Sequence, residues 1–162
     1  MTISDTKRRA IPSRGDQIDY FTATGSDGET IRTRDYFMRR NLALVFTHEA
    51  DCAACRELLR GLAQQYAAAR AEDGQVIAVV AAEPAAAEAL RHDLDLPFPV
   101  VADADLTVHA RFGLVEDGAP LAAIFVTDRY GTIYDASVAD ATHQMMAPEE
   151  VPGWLEFVAC EC

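Results

Sequence analysis

Asn41-Leu-Ala-Leu-Val-Phe-Thr-His48-Glu-Ala-Asp-Cys52-Ala-Ala-Cys55-Arg-Glu-Leu58-Leu59 holds the transition on which the fold turns. Asn41 to Thr47 is a nearly continuous apolar run, the pattern of a strand buried on both faces. From Ala53 the period changes to that of a helix, and Leu58, Leu59, Leu62 and Tyr66 fall on one stripe. Gly74 is expected to close that helix. Cys52 and Cys55 thus stand where a buried strand gives way to a helix.

Outward from this junction the same alternation continues. Gln75 to Ala81 reads as a second buried strand, and Pro84 to Asp93 as a helix with proline in its first turn. Phe98 to Val101 reads as a short strand and Leu106 to Phe112 as a short helix. Leu121 to Thr127 and Thr132 to Asp135 form a hairpin about Asp128-Arg-Tyr-Gly131. A closing helix from about Pro148 to Val158 is expected to bury Trp154, Leu155 and Phe157. Upstream, Gln17 to Thr22 and Thr30 to Thr33 read as a hairpin about Ser26-Asp-Gly-Glu29. The expected class is α/β: a central mixed sheet with helices on both faces and an N-terminal β-hairpin. The expected organisation is an arm at 1–14, one domain at 15–158 and a tail at 159–162.

Composition narrows the function. The 162 residues carry 14 Lys and Arg against 26 Asp and Glu, a formal net charge of -12. Nucleic-acid and anionic-membrane partners call for a basic stripe, and only Lys7-Arg8-Arg9 and Arg39-Arg40 cluster. No apolar run reaches the roughly 18 residues of a membrane span, and residues 1 to 17 do not read as an export signal. The expected location is cytoplasmic, unless a leader has been removed.

In a reducing compartment, Cys-x-x-Cys is more often catalytic or metal-binding than a staple. A helix N-terminus offers unpaired N–H groups and partial positive charge, which stabilise a thiolate, the reacting form of cysteine. The bland alternative is a pair of small buried hydrophobes. His48 can assist by holding or moving a proton near neutral pH, or can simply be a solvated loop residue. Glu49 and Asp51 oppose a thiolate by charge, and Asp51 occupies the expected N-cap.

These residues resemble the thioredoxin-like superfamily, in its redoxin branch: peroxiredoxins of the alkyl hydroperoxide reductase/thiol-specific antioxidant type, bacterioferritin-comigratory-type proteins and membrane-tethered thiol reductases. The resemblance covers about residues 15 to 158. Gly15-Asp-Gln-Ile-Asp-Tyr-Phe21, Asp27-Gly28 and Arg34-Asp-Tyr36 match the branch's N-terminal part, and Leu44-Val-Phe46 its central strand. Phe98-Pro-Val-Val-Ala-Asp103, Phe112-Gly113 and Phe125-Val-Thr-Asp128 with Gly131 and Ile133 match its later pattern.

The resemblance implies two activities. As a thiol–disulfide oxidoreductase, Cys52 attacks and Cys55 resolves, with His48 assisting. The departures are Asp51 in place of an aromatic residue, Ala-Ala between the cysteines, and Pro120 about two residues early for a cis-proline loop. As a thiol peroxidase, the Pro-x-x-x-Thr-x-x-Cys segment falls on His48, Cys52 and Cys55. Cys55 then attacks peroxide and Cys52 resolves, while the peroxide-holding arginine is replaced by Tyr134. The first activity is the expected one. A thioredoxin- or glutathione-type reductant is implied, acting on protein or small-molecule disulfides or on peroxides, with no resident cofactor.

Cys160-Glu-Cys162 adds a second pair. It is read as a redox relay to Cys52–Cys55, directly or across a homodimer, with an incidental tail as competitor. A third reading keeps the fold and uses the cysteines as metal ligands, although Cys-x-Cys is not a typical zinc knuckle. His143, Met145 and Met146 add soft donors whose expected role is loop packing.

Overall fold

The computed structural model describes residues 9–139 and 145–161. Its elements follow in order β1 (Thr22–Thr24), β2 (Thr30–Arg32), β3 (Asn41–Phe46), α1 (Ala53–Ala71), β4 (Gly74–Val80), α2 (Pro84–Asp93), β5 (Val100–Ala102), α3 (Thr107–Arg111), β6 (Val115–Glu116), β7 (Ala119–Pro120), β8 (Ala123–Thr127), β9 (Ile133–Val138) and α4 (Val151–Glu161). The central sheet runs β5-β4-β3-β8-β9. β3 pairs in parallel with β4, and β4 with β5, while β8 is antiparallel to both β3 and β9. This is the expected thioredoxin-like α/β architecture with a mixed sheet.

Side-chain alternation divides β3 between two cores. Ala43 and Val45 join Leu58, Leu59 and Leu62 of α1, Ala87 and Leu90 of α2, and Leu155 and Val158 of α4. Leu42, Leu44 and Phe46 face the other way, with Val108 of α3, Phe112, Ile18 and Phe21. The helix-rich face is built from small strand residues, Ala43, Val76 and Ala78 among them, and the opposite face from large ones. Close approach of helices explains the asymmetry, since interiors are filled to near-crystalline density. Phe46, at the site end of β3, lies 4.8 Å from Phe112 and 5.8 Å from Phe125, ring to ring.

Several local expectations are corrected. Gly74 opens β4 instead of closing α1: Asp73 takes the left-handed conformation (φ 55). A Cβ on Gly74 would lie 2.6 Å from Cδ1 of Leu155, so glycine is needed for α4 to pack there. Gln17 to Phe21 is not a strand of the first hairpin. It runs beside the β8–β9 turn, where Gln17 bridges Thr132 and the Ile18 N–H donates to the Gly131 carbonyl. The closing helix begins with a 3-10 turn over Pro148–Glu150. Its inward face is Val151, Leu155 and Val158; Trp154 is only half-buried and Phe157 is 43% exposed. The two rings pack on each other, 6.0 Å apart, at the edge of the layer. The β6–β7 hairpin is additional, turning on Asp117 and Gly118, both with positive φ. Of the expected arm, residues 9–14 lie within the described chain, with Ile11 packed against the second core.

The turn of the first hairpin is tied to α2 by Ser26, whose hydroxyl donates to Glu88 at 2.6 Å. Arg91 first, and then Ser26, hold the Glu88 carboxyl down at about 2 from an ordinary 4.5. A depressed folded value makes the contribution fully present above 4.5 and lost as pH falls toward 2. Glu88→Gln is therefore expected to lower the melting temperature near neutrality by only about 1–2 °C, because the group is solvent-screened. The gap to wild type should close in melts at acid pH.

Candidate active site

β3 delivers the chain to its carboxyl edge, and Thr47 extends the ladder by one bond, its N–H donating to the Val79 carbonyl at 2.9 Å. Open α/β sheets place their chemistry at this edge. His48 is half-buried, and its carbonyl accepts from the Ala81 N–H at 3.3 Å, which ties the loop to the end of β4. The Cys52 N–H donates to the Glu49 carbonyl at 3.1 Å, closing a turn just before α1.

The N-cap of α1 is Cys52 rather than Asp51. Cys52 has extended backbone angles, and its Sγ accepts the Cys55 N–H at 3.4 Å. Asp51 lies one residue too early and is exposed. The cysteine sulfur thereby takes the position usually given to a capping oxygen, within the positive end of a 19-residue helix.

Burial separates the two sulfurs. Cys52 is half-buried, whereas Cys55 is 4% exposed. Burial pushes the Cys55 thiol up from 9.0 to about 12, and its hydrogen bond with Cys52 adds to the shift. The His48 N–H, donating to Cys55 Sγ at 3.3 Å, acts in the opposite direction. The His48 ring reaches both sulfurs: Nδ1 is 3.6 Å from Cys52 Sγ and 3.4 Å from Cys55 Sγ. The structure therefore brings His48, Cys52 and Cys55 together, with their donor atoms all within 4.8 Å of one another. A cavity of about 360 Å³ runs along α1 beside them, lined by Ala54, Cys55, Leu58, Ala122, Met145 and Met146 among others.

Cys160 is not part of this group. It lies exposed in the last turn of α4, next to Ala159, which shares a cleft with Asn41 at the start of β3. Six strand residues of about 3.3 Å each separate that end from the cysteine edge. Within one chain this arrangement keeps Cys160 away from Cys52 and Cys55. Cys162 and His143 lie outside the described residues. Met146 is buried and Met145 packs against the first core, in keeping with a packing role. Tyr134 lies in β9 and packs into the same core near Phe157. No described peptide bond is cis, that before Pro120 included.

Sequence reasoning missed His109 and Asp103, both buried, at 0% and 3% exposure. His109 Nδ1 lies 2.6 Å from Asp103 Oδ2, and Nε2 lies 2.9 Å from the Thr47 carbonyl oxygen. Asp103 also accepts the N–H groups of Val108 and His109 at 3.0 and 2.8 Å. Burial alone would raise the Asp103 carboxyl, but the His109 bond and the two N–H bonds outweigh it and hold the group below its ordinary 3.8. The ring thus stands between a carboxylate at Nδ1 and a carbonyl oxygen at Nε2. The ring therefore clamps the residue before His48 to the start of α3. Arg56 was missed too: it donates to the Ala50 carbonyl at 3.3 Å, within the site loop.

Comparison with known proteins agrees with this architecture. No curated protein sequence matches the chain. Among solved structures, AhpC of Enterococcus faecalis superposes with a TM-score of 0.80 at 17% identity, over 91% of this chain and 92% of that one. A reduced 2-Cys peroxiredoxin of Plasmodium vivax gives 0.80 at 12% identity, over 93% and 98%. Peroxidoxin BcpB of Mycobacterium tuberculosis gives 0.78 at 15%, over 92% and 97%. The model of the AhpC/TSA family matches residues 14–136, which take in the sheet as far as the middle of β9, the cysteine pair and the His109 clamp, and the chain belongs to that family.

Proposed function

We propose that the protein is a two-thiol oxidoreductase in which Cys52 attacks and Cys55 resolves. The observation that carries this is the contrast between a half-exposed sulfur at the helix N-cap and a buried thiol pushed up to about 12. Cys52, as thiolate, attacks one sulfur of a disulfide and expels the other as thiolate, forming a mixed disulfide. Cys55 then gives up its proton and attacks the Cys52 sulfur, releasing the bound thiol and leaving the Cys52–Cys55 disulfide. His48 Nδ1, at 3.4 Å, is placed to take that proton. An external dithiol, or two molecules of a glutathione-type thiol, returns two electrons to the pair.

Family membership favours a second reading, with peroxide as the oxidant. A thiolate at Cys55 attacks the O–O bond, water (from hydrogen peroxide) or an alcohol (from an alkyl hydroperoxide) leaves, and the sulfenic acid condenses with Cys52 to give the same disulfide and one water. The occupants of the peroxidase positions, His48, Cys52 and Tyr134, support the first reading over this one.

Trapping distinguishes the two. Cys55→Ser combined with Cys160→Ser and Cys162→Ser, reduced and mixed with an aromatic disulfide, should retain one adduct mapped to Cys52 by peptide mass spectrometry. Cys52→Ser, treated with a small excess of hydrogen peroxide and a sulfenic-acid probe, should remain unlabelled at Cys55. Rapid stoichiometric labelling at Cys55 would establish the peroxide reading instead.

A further inference from the structure

Outside the cysteine site, the cleft beside α3 is lined by Arg9 and Arg111, both paired with Asp19. The site itself has a property that thiol exchange does not use. A zinc ion sits about 2.3 Å from thiolate sulfur and about 2.0–2.1 Å from imidazole nitrogen, so S and N donors on one tetrahedral ion lie about 3.5 Å apart. The two separations from His48 Nδ1, 3.6 Å to Cys52 Sγ and 3.4 Å to Cys55 Sγ, match that edge.

A second observation is the way each sulfur is held. Cys52 Sγ accepts the Cys55 N–H at 3.4 Å, and Cys55 Sγ accepts the His48 N–H at 3.3 Å. Such outer bonds fix ligand direction in metal centres. Two sulfurs and an imidazole suit a soft or borderline ion and not calcium or magnesium. Glu49 and Asp51, exposed in the same loop, add negative charge that favours a cation. Partial exposure of Cys52 gives the ion access.

We propose that, in the reduced protein, His48, Cys52 and Cys55 bind one zinc(II) ion, with water in the fourth position. Zinc displaces the two thiol protons to solvent and no oxidation state changes. Occupied sulfurs cannot attack a substrate, and sulfurs joined as a disulfide cannot bind the ion. Zinc is therefore a reversible brake on whichever sulfur attacks. The proposal goes beyond the two-thiol reading, and its assay involves no turnover, so either can fail without the other.

The test uses the reduced, chelator-stripped full chain, kept anaerobic. Zinc(II) is titrated against a chromogenic zinc chelator, and cobalt(II) is used in parallel to report ligand type through its thiolate charge-transfer and tetrahedral visible bands. One zinc equivalent and a tetrahedral, two-thiolate cobalt spectrum are expected. His48→Ala, Cys52→Ser and Cys55→Ser, each confirmed folded by circular dichroism, should weaken binding at least about tenfold. The Cys160→Ser/Cys162→Ser double variant should bind as wild type, and the Cys52–Cys55 disulfide form should not compete. Failure to draw zinc from the chelator would overturn the proposal. So would binding that survives His48→Ala and Cys55→Ser but is lost with the tail cysteines.

Discussion

Cys52→Ser is expected to lose at least about a thousandfold in disulfide reduction, with substrate affinity little changed, because it removes the attacking atom itself. Serine retains an acceptor for the Cys55 N–H, so the cap survives and the helix should start at the same residue. A hydroxyl is a far weaker nucleophile than a thiolate at neutral pH, and Cys55 cannot substitute. It is buried, it is held at about 12, and an incoming disulfide would have to reach it past the loop. Steady-state disulfide reduction with excess chemical reductant, with circular dichroism confirming the fold, reads the effect. Activity within tenfold of wild type would remove Cys52 from the attacking role.

Asp103→Ala is expected to destabilise the protein by about 3–5 kcal/mol, because it removes one buried acceptor and leaves its partners buried without one. Three losses coincide: the carboxylate beside His109 and the acceptors for the Val108 and His109 N–H groups. A chain of this size should show a fall in melting temperature on the order of 10 °C. The sign with pH follows from the depressed carboxyl of Asp103. Its stabilisation is present above the ordinary value of 3.8 and lost as pH falls through the lower folded value, so variant and wild type should converge in acid. Asp103→Asn, which keeps one acceptor, should fall between the two. Equilibrium denaturation at neutral and acid pH measures all three.

The strand–helix junction was legible because its signals are local and unopposed. The apolar run at Asn41 and the stripe of Leu58, Leu59 and Leu62 each have one periodicity, and α2 occupies Pro84–Asp93 as read from its proline and spacing. The capping residue was not legible, since Asp51 is the better oxygen cap by type and only the backbone at Cys52 decides the matter. Gly74 looked like a helix terminator, but its lack of a side chain answers to Leu155, 81 positions along the chain. Asp117-Gly118 is a standard turn dipeptide and would have marked the β6–β7 hairpin. The His109 clamp had no readable signal, because its partner carbonyl at Thr47 is 62 residues away and no side-chain pattern encodes a carbonyl.

That clamp has a consequence for how the redox cycle moves. The peptide ahead of His48 is pinned from beneath by the buried His109 ring and from the side by Val79 and Ala81. Its amides should thus exchange with solvent deuterium only through global opening, in the reduced and the oxidised protein alike. On the two-thiol reading, the step from dithiol to disulfide is then expected to draw on side-chain rotation at the first turn of α1 rather than on this peptide. Turnover should then be limited by encounter and proton movement, and viscosity and solvent isotope should slow it where loop-loosening mutations do not speed it.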